Sequence, residues 1–424
     1  MWIGIDDTDS PAGMCTTYIG AALVRRLAQA GMRILDTRLV RLNPNVIHKT
    51  RGNAAVSIEA EGDTEVAFAL ASACVEELAA FDAAATNPGV VVSCTRPPPD
   101  FYYAALRDFC TVDEAVDVLE SVGARYRGYK NRRGLIGATA AIASDFPDRT
   151  YELLAYRKRE FWGTIRQVDH GSLFCAEERT YPHTWDTVDQ ENGVVVCVPH
   201  TPDPVLFGIR GESPAWVRKA GSYVDSEEPA CKQVYITNQG TDAHLVPGTV
   251  GALREGRSYL VRGTVAGSPT TGVGGHVSFV LADGGEEVRC MAYEPTKGFR
   301  DVVRALVPGD VVVAAGSYKG GSLNLEKLGV ASLADAVRIR PPVCPACGRR
   351  MTSAGTQKGY KCRVCGGRSR EPEVERQERL LRPGWYEVPP TARRHLARPL
   401  VRGIPGWEET MLRSDRGGAG APYR

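Results

Sequence analysis

A chain of 424 residues, with 43% hydrophobic and 24% charged residues, is long enough for two to four soluble domains that each bury a core. No apolar run approaches the roughly 18 residues of a membrane span, and the acidic N-terminus lacks the cationic and apolar segments of a secretory signal, so we expect a cytoplasmic protein with no membrane partner. The net charge of +2 hides an asymmetry: from Arg338 onward 19 Lys+Arg stand against 8 Asp+Glu, whereas residues 1–337 hold 33 against 42. Either an enzyme with a polyanion-binding arm or a protein with a solvated basic tail has this pattern.

Apolar runs and helical spacings alternate along residues 1–127, which predicts an α/β domain. Its predicted strands are residues 2–5, 33–42, 54–60 and 88–94, and its predicted helices are 13–30 and 63–82. The basic, glycine-containing segment 126–134 follows and leads into a second, α+β part that ends near residue 246. There we predict helices at 135–143 and 214–221 and strands near 151–156, 193–198 and 205–210.

The pattern changes to five short β segments with glycine-rich turns between residues 250 and 333. A barrel of that size is most often an OB-fold, which can bind oligosaccharides, proteins or RNA. The basic residues that follow favour RNA as the ligand. We expect the last 50 residues to be extended and to become ordered only on a partner, because they contain many Arg and Pro and little apolar periodicity.

The strongest local signal is a set of four cysteines. They form two CxxC pairs separated by fourteen residues, and a glycine follows each pair. Four thiolates on two such turns give the closed tetrahedral site that Zn²⁺ prefers, with no position left for a catalytic water. A redox role would need a βαβ context that this segment lacks. We therefore predict a structural zinc site with the ligands Cys344, Cys347, Cys362 and Cys365.

Three aspartates follow the first predicted strand. Asp6, Asp7 and Asp9 are so close in sequence that their carboxylates repel one another unless a cation lies between them. One interpretation is a site where one or two of these acids hold Mg²⁺ together with nucleotide phosphates. The alternative is a polar turn whose aspartates cap a helix.

The residues that follow favour the nucleotide interpretation. Gly13 lies in a loop that opens a helix, and Thr16 and Thr17 begin that helix, so backbone N–H groups and hydroxyls are available to an anion. No Gly-Lys-Ser/Thr is present, so this is not a Walker motif. A second predicted phosphate clamp lies in the segment 48–53, through Lys49, Arg51 and Gly52.

These segments resemble a known family over nearly the whole chain. WIGIDDTDSPAGMCTTYIG, HKTRGNAAV, NRRGLIGATAAIA, FGIRGES, TNQGTDAH and the CxxC ribbon are similar to the archaeal tRNA(Ile) 2-agmatinylcytidine synthetases. The resemblance implies a multidomain α/β and α+β protein with a kinase-like ATP-binding domain, a ferredoxin-like domain, an OB-fold β-barrel and a zinc ribbon. We place these domains at residues 1–127, 128–246, 247–336 and 337–371, followed by a basic C-terminal tail at 372–424.

The resemblance also implies a reaction. ATP activates the wobble cytidine of a CAU anticodon at its 2-oxo group, and the amine of agmatine displaces the activating group to form agmatidine. By the family's pattern Thr16 becomes phosphorylated, while Asp6, Asp7 and Asp9 hold Mg²⁺ and phosphates. The cofactors would be ATP, Mg²⁺ and Zn²⁺, and the partners tRNA(Ile) and agmatine.

The binding site for agmatine is less defined in the sequence. Its guanidinium should pair with a carboxylate, and we name Glu212 and Asp242, with Arg210 beside them, as candidates. Two other functions stay open from the residues alone: a different ATP-dependent RNA kinase or ligase, and a non-catalytic RNA-binding protein.

Overall fold

The computed structural model describes residues 1–355, 358–406 and 411. Residues 1–143 combine strands and helices, as the α/β prediction for residues 1–127 requires, but the helices Asp100–Arg107 and Val112–Ser121 and the strand Arg125–Gly128 were not predicted. The elements are β1 (Trp2–Asp6), α1 (Thr16–Gln29), β2 (Arg33–Arg41), β3 (Ala54–Glu61), α2 (Thr64–Leu78), β4 (Gly89–Ser93), α3 (Asp100–Arg107), α4 (Val112–Ser121), β5 (Arg125–Gly128) and α5 (Gly134–Ala143).

Strand β1 is central to this part, with β3 and β4 paired antiparallel on its two sides. On one face Ile3 and Ile5 join a core to which α1 and α2 contribute. On the other face Gly4 has no side chain, and a Cβ there would lie 2.3 Å from the carbonyl oxygen of Ala138 in α5. The backbone of α5 therefore rests directly on the strand, an approach that only glycine permits.

The second part has an antiparallel sheet with two helices. Its elements are β6 (Thr150–Tyr156), α6 (His170–Thr180), β7 (Thr184–Trp185), β8 (Val188–Asp189), β9 (Val194–Val195), β10 (Val205–Gly211), α7 (Pro214–Ser222) and β11 (Cys231–Thr237). Of the strand that we predicted near residues 193–198, only the two residues of β9 are a strand, and they pair with β8 rather than with the main sheet.

Both parts share one sheet of nine strands in the order β5-β4-β1-β3-β2-β11-β6-β10-β7. Only β2 and β11, at the seam, are parallel. The side chain of Asn238 extends this seam: its Oδ1 accepts from the Arg41 amide and its Nδ2 donates to the Arg41 carbonyl, both at 2.8 Å. One sheet thus extends across the predicted boundary between residues 127 and 128. The limits of the first two domains therefore stay predictions.

A closed five-stranded barrel follows and confirms the predicted β-barrel. Strands β13 (Ser258–Val265), β17 (Val311–Lys319), β18 (Ser322–Ser332), β16 (Glu286–Ala292) and β15 (Val277–Asp283) pair in turn, and β15 returns to β13. No helix in the described part of the chain combines the length and the apolarity that crossing a bilayer requires. The elements are β12 (Leu245–Gly248), β13 (Ser258–Val265), β14 (Thr270–Thr271), β15 (Val277–Asp283), β16 (Glu286–Ala292), α8 (Phe299–Arg304), β17 (Val311–Lys319) and β18 (Ser322–Ser332).

The four predicted zinc ligands converge. Their sulfur atoms all lie within 4.8 Å of one another, as thiolates around one tetrahedral Zn²⁺ do. Hydrogen bonds from the Gly348 amide to the Cys344 carbonyl and from the Gly366 amide to the Cys362 carbonyl close the two turns. The strands of this region are β19 (Ala336–Arg340), β20 (Thr352–Ser353), β21 (Tyr360–Lys361), β22 (Arg368–Ser369), β23 (Glu373–Gln377) and β24 (Gly384–Glu387).

The expectation that the last 50 residues are extended is wrong for their described part up to residue 406. Strand β23 pairs with β19, and β24 adds to β18 of the barrel. The side chains of Leu381, Val388 and Leu396 are buried. Apolar residues are few here, but they fill the space between the barrel and the rest of the protein, and arginines pair with carboxylates around them. Apart from residue 411, the prediction beyond residue 406 lies outside the described residues.

A buried ion pair joins the barrel to the residues before it. The ammonium of Lys327 on β18 contacts the Asp242 carboxylate, and both side chains are almost fully buried. The other oxygen of Asp242 accepts from the Arg398 amide at 2.7 Å. Beside them, Nε2 of His244 lies 3.0 Å from the Glu326 carboxylate. The second part, the barrel and the C-terminal segment therefore meet at one polar cluster.

We expect Lys327→Met to destabilise the protein by about 3–5 kcal/mol, because it leaves the buried Asp242 carboxylate uncompensated. Denaturant unfolding at neutral pH measures this. Glu61→Gln is the matched control, since it breaks the exposed pair of Arg33 and Glu61 and should leave the midpoint nearly unchanged. An equal effect of the two variants would contradict the assigned role of the buried pair.

Removing zinc should unfold the ribbon and leave the larger body intact. The ribbon is too small to keep its fold without a metal. We expect about one equivalent of zinc in the purified protein, lost in Cys362→Ser, and faster hydrogen exchange over residues 343–369 after chelation. Cys94→Ser, which changes an exposed thiol outside the cluster, should keep the metal. Unchanged zinc in Cys362→Ser would refute the site.

Candidate active site

The candidate active site forms where β1 ends. Asp6 is the last residue of the strand, and Asp7 turns the chain with a φ of 55°, a left-handed conformation that aspartate adopts more readily than most residues. Thr8 is fully buried and its hydroxyl donates to the Thr16 hydroxyl at 3.0 Å. The aspartate turn, which ends with Asp9, is thereby bonded to the start of α1.

Helix α5 supplies the opposite wall. A Cβ on Gly137 would lie 1.9 Å from Oδ2 of Asp6, so the carboxylate occupies the space that a side chain would take. Just before the helix, Arg133 places Nε and Nη2 at 3.0 and 2.8 Å from Oδ2 of Asp7. Both residues belong to the NRRGLIG segment, to which we had assigned no role in the site.

The loop between the aspartates and α1 is held by its own backbone. The amides and carbonyls of Ser10 and Gly13 exchange hydrogen bonds of 3.0 and 3.2 Å, and Gly13 has a φ of 155°. Helix α1 begins at Thr16, and no side chain caps it. The Thr17 hydroxyl lies 3.0 Å from the Cys15 thiol. An uncapped helix start leaves N–H groups available for an anion, which agrees with the predicted phosphate site.

Arg51 braces this loop. Its Nη2 lies 2.7 Å from the Asp9 carboxylate and 2.5 Å from the Met14 carbonyl, and Nη1 donates to the Ser10 carbonyl at 3.3 Å. The predicted clamp residue thus contacts the aspartate turn and the helix-opening loop together.

The two other clamp residues lie on either side of Arg51. Lys49 is exposed, and its ammonium donates to the Pro44 carbonyl. Gly52 allows a close contact, because a Cβ there would lie 2.7 Å from the imidazole of His395. The C-terminal segment therefore reaches the candidate site, which the sequence had not indicated.

Burial dominates the electrostatics of the aspartates. The pKa of Asp6 is raised well above its ordinary value by burial and by the neighbouring charge of Asp7. Burial raises the pKa of Asp7 to about 6, although Arg133 opposes the shift. It also raises the pKa of Asp9, against the effect of Arg51. Carboxylates held in this way become ionised most readily when a cation joins them.

Two cavities meet at the segment Arg51–Gly52, which we call the shared wall. The first, the aspartate cavity, has a volume of about 190 Å³. The second, the threonine cavity, has a volume of about 250 Å³. Among the predicted site residues, the aspartate cavity is lined by Asp6, Asp7, Asp9, Lys49, Arg51 and Gly52. Those of the threonine cavity are Asp9, Thr16, Thr17, Arg51, Gly52 and Arg210.

A loop from the second part closes the threonine cavity. Arg166 holds this loop by donating to the carbonyls of residues 199, 201, 203 and 205 at 2.7–2.9 Å. The loop carries the buried carboxylate of Asp203 to the cavity wall, and Glu152 on β6 provides a second buried carboxylate there. The cavity therefore combines a hydroxyl on one side with carboxylates on the other.

Of the three residues named for agmatine, only Arg210 lines the threonine cavity. Glu212 is partly exposed and pairs with Arg402 at 2.6 Å. Asp242 is buried in the polar cluster with Lys327, and both of its oxygens are bonded. Neither carboxylate lines the cavity, so the structure argues against Glu212 and Asp242 as partners of a ligand there.

Two residues of the site, Glu152 and Asp203, carried no signal in the sequence. They come from β6 and from the loop before β10, and only folding brings them to the aspartate turn. Arg133, Gly137 and His395 could have been found, since each lies in a segment that contributed to the resemblance.

Three family models match the chain. They are described as the TiaS TCKD domain, the TiaS FLD domain and the TiaS C-terminal zinc ribbon domain, and they match residues 2–68, 132–244 and 341–381. The zinc ribbon match agrees with the convergence of the four cysteines.

Curated relatives are similar over nearly their full length. The isoleucine-tRNA 2-agmatinylcytidine synthetase TiaS of Methanocorpusculum labreanum is 54% identical over 403 residues, covering 95% of this chain and 97% of that protein. The protein of the same name from Methanosarcina mazei is 48% identical over 416 residues, with the same coverage.

Solved structures have the same fold. The complex of TiaS with its isoleucine tRNA and ATP matches with a TM-score of 0.88 and 41% identity, over 95% of this chain and 97% of that one. The complex of TiaS with the same tRNA, AMPCPP and agmatine matches with a TM-score of 0.85 and 39% identity, over 96% and 98%. The chain therefore belongs to the family of the tRNA(Ile) 2-agmatinylcytidine synthetases, TiaS.

Proposed function

We propose that the protein uses ATP to conjugate agmatine to the 2-oxo position of the wobble cytidine, anticodon position 34, of tRNA(Ile) with a CAU anticodon. The observation that carries this proposal is the meeting of two cavities at the shared wall, with desolvated carboxylates in one and the Thr16 hydroxyl in the other. It is supported by relatives crystallised with an isoleucine tRNA, with ATP or AMPCPP, and with agmatine.

The nucleotide phosphates would lie at the aspartate cavity. Asp6 and Asp7 would hold Mg²⁺, which binds oxygen ligands and keeps several positions for waters and phosphates. Mg²⁺ can bind through one or two carboxylates, so this site does not need three protein ligands in contact with one another. Among the described residues, only the four cysteines bring three or more potential metal ligands within 4.8 Å of one another. The raised pKa values of both carboxyl groups fit a site completed by a cation.

Phosphoryl transfer needs positioning and charge neutralisation more than covalent chemistry from the protein. Arg51 and Arg133, beside Asp9 and Asp7, supply positive charge at the phosphates. The uncapped start of α1, which follows the loop that contains Gly13, supplies backbone donors. Thr16 would be the residue that becomes phosphorylated. Its hydroxyl lies on the wall of the threonine cavity, on the other side of the shared wall from Asp6 and Asp7.

Phosphorylation converts the 2-oxo oxygen of cytosine from a poor leaving group into a good one. Once the 2-oxo oxygen of cytosine carries a phosphoryl group, the agmatine nitrogen bonds to C2, the C2–O bond breaks and inorganic phosphate leaves with that oxygen. We place agmatine in the threonine cavity, whose wall carries the carboxylates of Glu152 and Asp203. These carboxylates accept hydrogen bonds from Gln239 and from Thr201, which the amine and guanidinium of agmatine would join or replace. The base must leave the anticodon stack to reach this cavity.

We assign ATP binding and tRNA binding to different predicted domains. Residues 1–127 would be the kinase-like ATP-binding domain, 128–246 the ferredoxin-like domain, and 247–336 the barrel that binds RNA. The zinc ribbon at 337–371 would add a basic contact to the tRNA. We place the protein in the cytoplasm, where these substrates occur.

Asp7→Asn should reduce agmatidine formation by about 100-fold or more, since it removes a charge that the nucleotide site depends on. Mass spectrometry of tRNA(Ile) after incubation with ATP and agmatine measures the product, and a filter-binding assay should show unchanged affinity for tRNA. Asp117→Asn, at an exposed position on α4, is the matched control. Full activity of Asp7→Asn would contradict the proposed site.

Thr16→Val should abolish ATP-dependent phosphorylation of the protein, whereas Thr16→Ser should retain part of it. Intact-protein mass spectrometry after incubation with ATP detects the added phosphoryl group. If wild-type protein consumes ATP but the wobble cytidine stays unmodified, the protein is a different ATP-dependent RNA kinase or ligase. If it binds RNA and consumes no ATP, it is a non-catalytic RNA-binding protein.

A further inference from the structure

A third cavity, of about 460 Å³, adjoins the shared wall where β2 ends and the C-terminal segment packs. We call it the arginine cavity. Its lining contains five cationic residues and a histidine but no aspartate or glutamate. These six are Arg41, Lys49, Arg51, Arg393, Arg394 and His395.

The cations of this cavity are unevenly compensated. Arg51, Arg393 and Arg394 lie in ion pairs, with Asp9, Asp186 and Glu326 respectively. Arg41 and Lys49, in contrast, have no carboxylate within 4.0 Å among the residues that the structure describes. Arg41 donates to the Gly52 carbonyl at 2.8 Å and to the side chain of Gln239 at 3.2 Å, which are neutral acceptors.

Burial and neighbouring cations both act on these groups. Burial lowers the pKa of Arg41 to about 10; the charge of Glu152 opposes this shift, and the charges of Arg210 and Arg51 add to it. The pKa of Lys49 is lowered by partial burial of its ammonium and then by the charges of Arg394 and Lys319. Lys319 is exposed at the end of β17, so the positive charge continues from the cavity onto the barrel. An anion is the group that would relieve this repulsion.

His395 adds a neutral donor. Its Nδ1 lies 2.5 Å from Nη2 of Arg210, and a guanidinium can only donate, so Nδ1 accepts and the ring proton sits on Nε2. Burial and the charges of Arg41 and Arg210 hold the pKa of His395 well below its ordinary value, which keeps the ring neutral. Nε2 lies against Gly52, where a Cβ would be 2.8 Å away, so its N–H is at the wall of the cavity.

We propose that the arginine cavity binds a backbone phosphate of the anticodon strand, next to the nucleotide that enters the threonine cavity. The inference rests on the proposed function and adds a phosphodiester site to it. Because the two cavities share Arg51, Gly52, Arg41 and His395 as lining residues, a phosphate held in one places its nucleotide at the mouth of the other.

A nucleotide triphosphate fits this cavity less well. A triphosphate binds together with a divalent cation, which needs carboxylates or waters held by carboxylates. The arginine cavity offers no carboxylate, whereas the aspartate cavity offers four. RNA also matches the way the charge extends over Lys319 to the barrel, since a polyanion contacts several cations in a row.

Salt-dependent RNA binding tests the proposal. The affinity of unmodified tRNA(Ile) is measured between 50 and 200 mM salt, without ATP or agmatine, for wild type, Lys49→Gln and Arg394→Gln. Loss of one phosphate contact should reduce the slope of log Kd against log salt by about 0.7, the value for single-stranded nucleic acid. The dissociation constant of ATP–Mg²⁺, measured separately for Arg394→Gln because Arg394 does not line the aspartate cavity, should stay within about twofold of wild type.

Two control variants sharpen the result. Arg33→Gln removes a cation at the far, exposed end of the same strand β2 and should leave the slope unchanged. Lys49→Arg keeps the charge and should have the same slope of log Kd against log salt as wild type. Thermal unfolding checks the fold. Lys49→Gln carries the salt-dependence test if Arg394→Gln is destabilised, because Arg394 also contacts Asn45, Ser317 and the buried Glu326.

Two outcomes overturn the proposal. An unchanged slope with weaker ATP binding would make this cavity part of the nucleotide site. Unchanged slope and unchanged ATP binding would show that its cations serve the fold only. Agmatidine formation by wild-type protein is scored separately, so a failure of the proposed function is distinguishable from a failure of this site.

Discussion

The packing of α5 against β1 and β4 is the constraint on which the candidate site depends. Gly4 and Gly89 face the helix without side chains, and a Cβ on Gly89 would lie 2.3 Å from the backbone of Gly134. This proximity lets the helix take Asp6 into the space beside Gly137 and bring Arg133 to Asp7. A wider separation between helix and sheet would expose the aspartates to water and remove the desolvation that raises their pKa values.

The C-terminal segment is held beside the candidate site by ion pairs more than by apolar contacts. Arg393 contacts Asp186, and Arg398 and Arg402 both contact Asp148. The pairs are partly or wholly buried, so their net effect on stability is small, but they specify where the segment lies. That placement brings His395 to the shared wall, where it contributes to two cavities. A segment rich in arginine is thereby a structural part of the protein.

The sequence predicted those parts of the protein that depend on neighbours along the chain. The zinc ligands follow from two short spacings, and the aspartate turn and Thr16 lie within eleven residues of each other. The barrel followed from its short strands and turns. What the sequence could not show depends on contacts between distant segments. Asp203 reaches the site because Arg166 holds its loop, and Asp242 is buried against Lys327 of the barrel, away from the threonine cavity.

The seam between β2 and β11 has one consequence for the arginine cavity. Asn238 satisfies both backbone groups of Arg41 with a single carboxamide, acting as a surrogate peptide at the point where the paired strands run out. A carboxylate in its place could accept but not donate, and would leave the Arg41 carbonyl facing a like charge. The backbone of Arg41, and with it the position of its side chain in the arginine cavity, is thus held by the uncharged side chain of Asn238, which does not line that cavity.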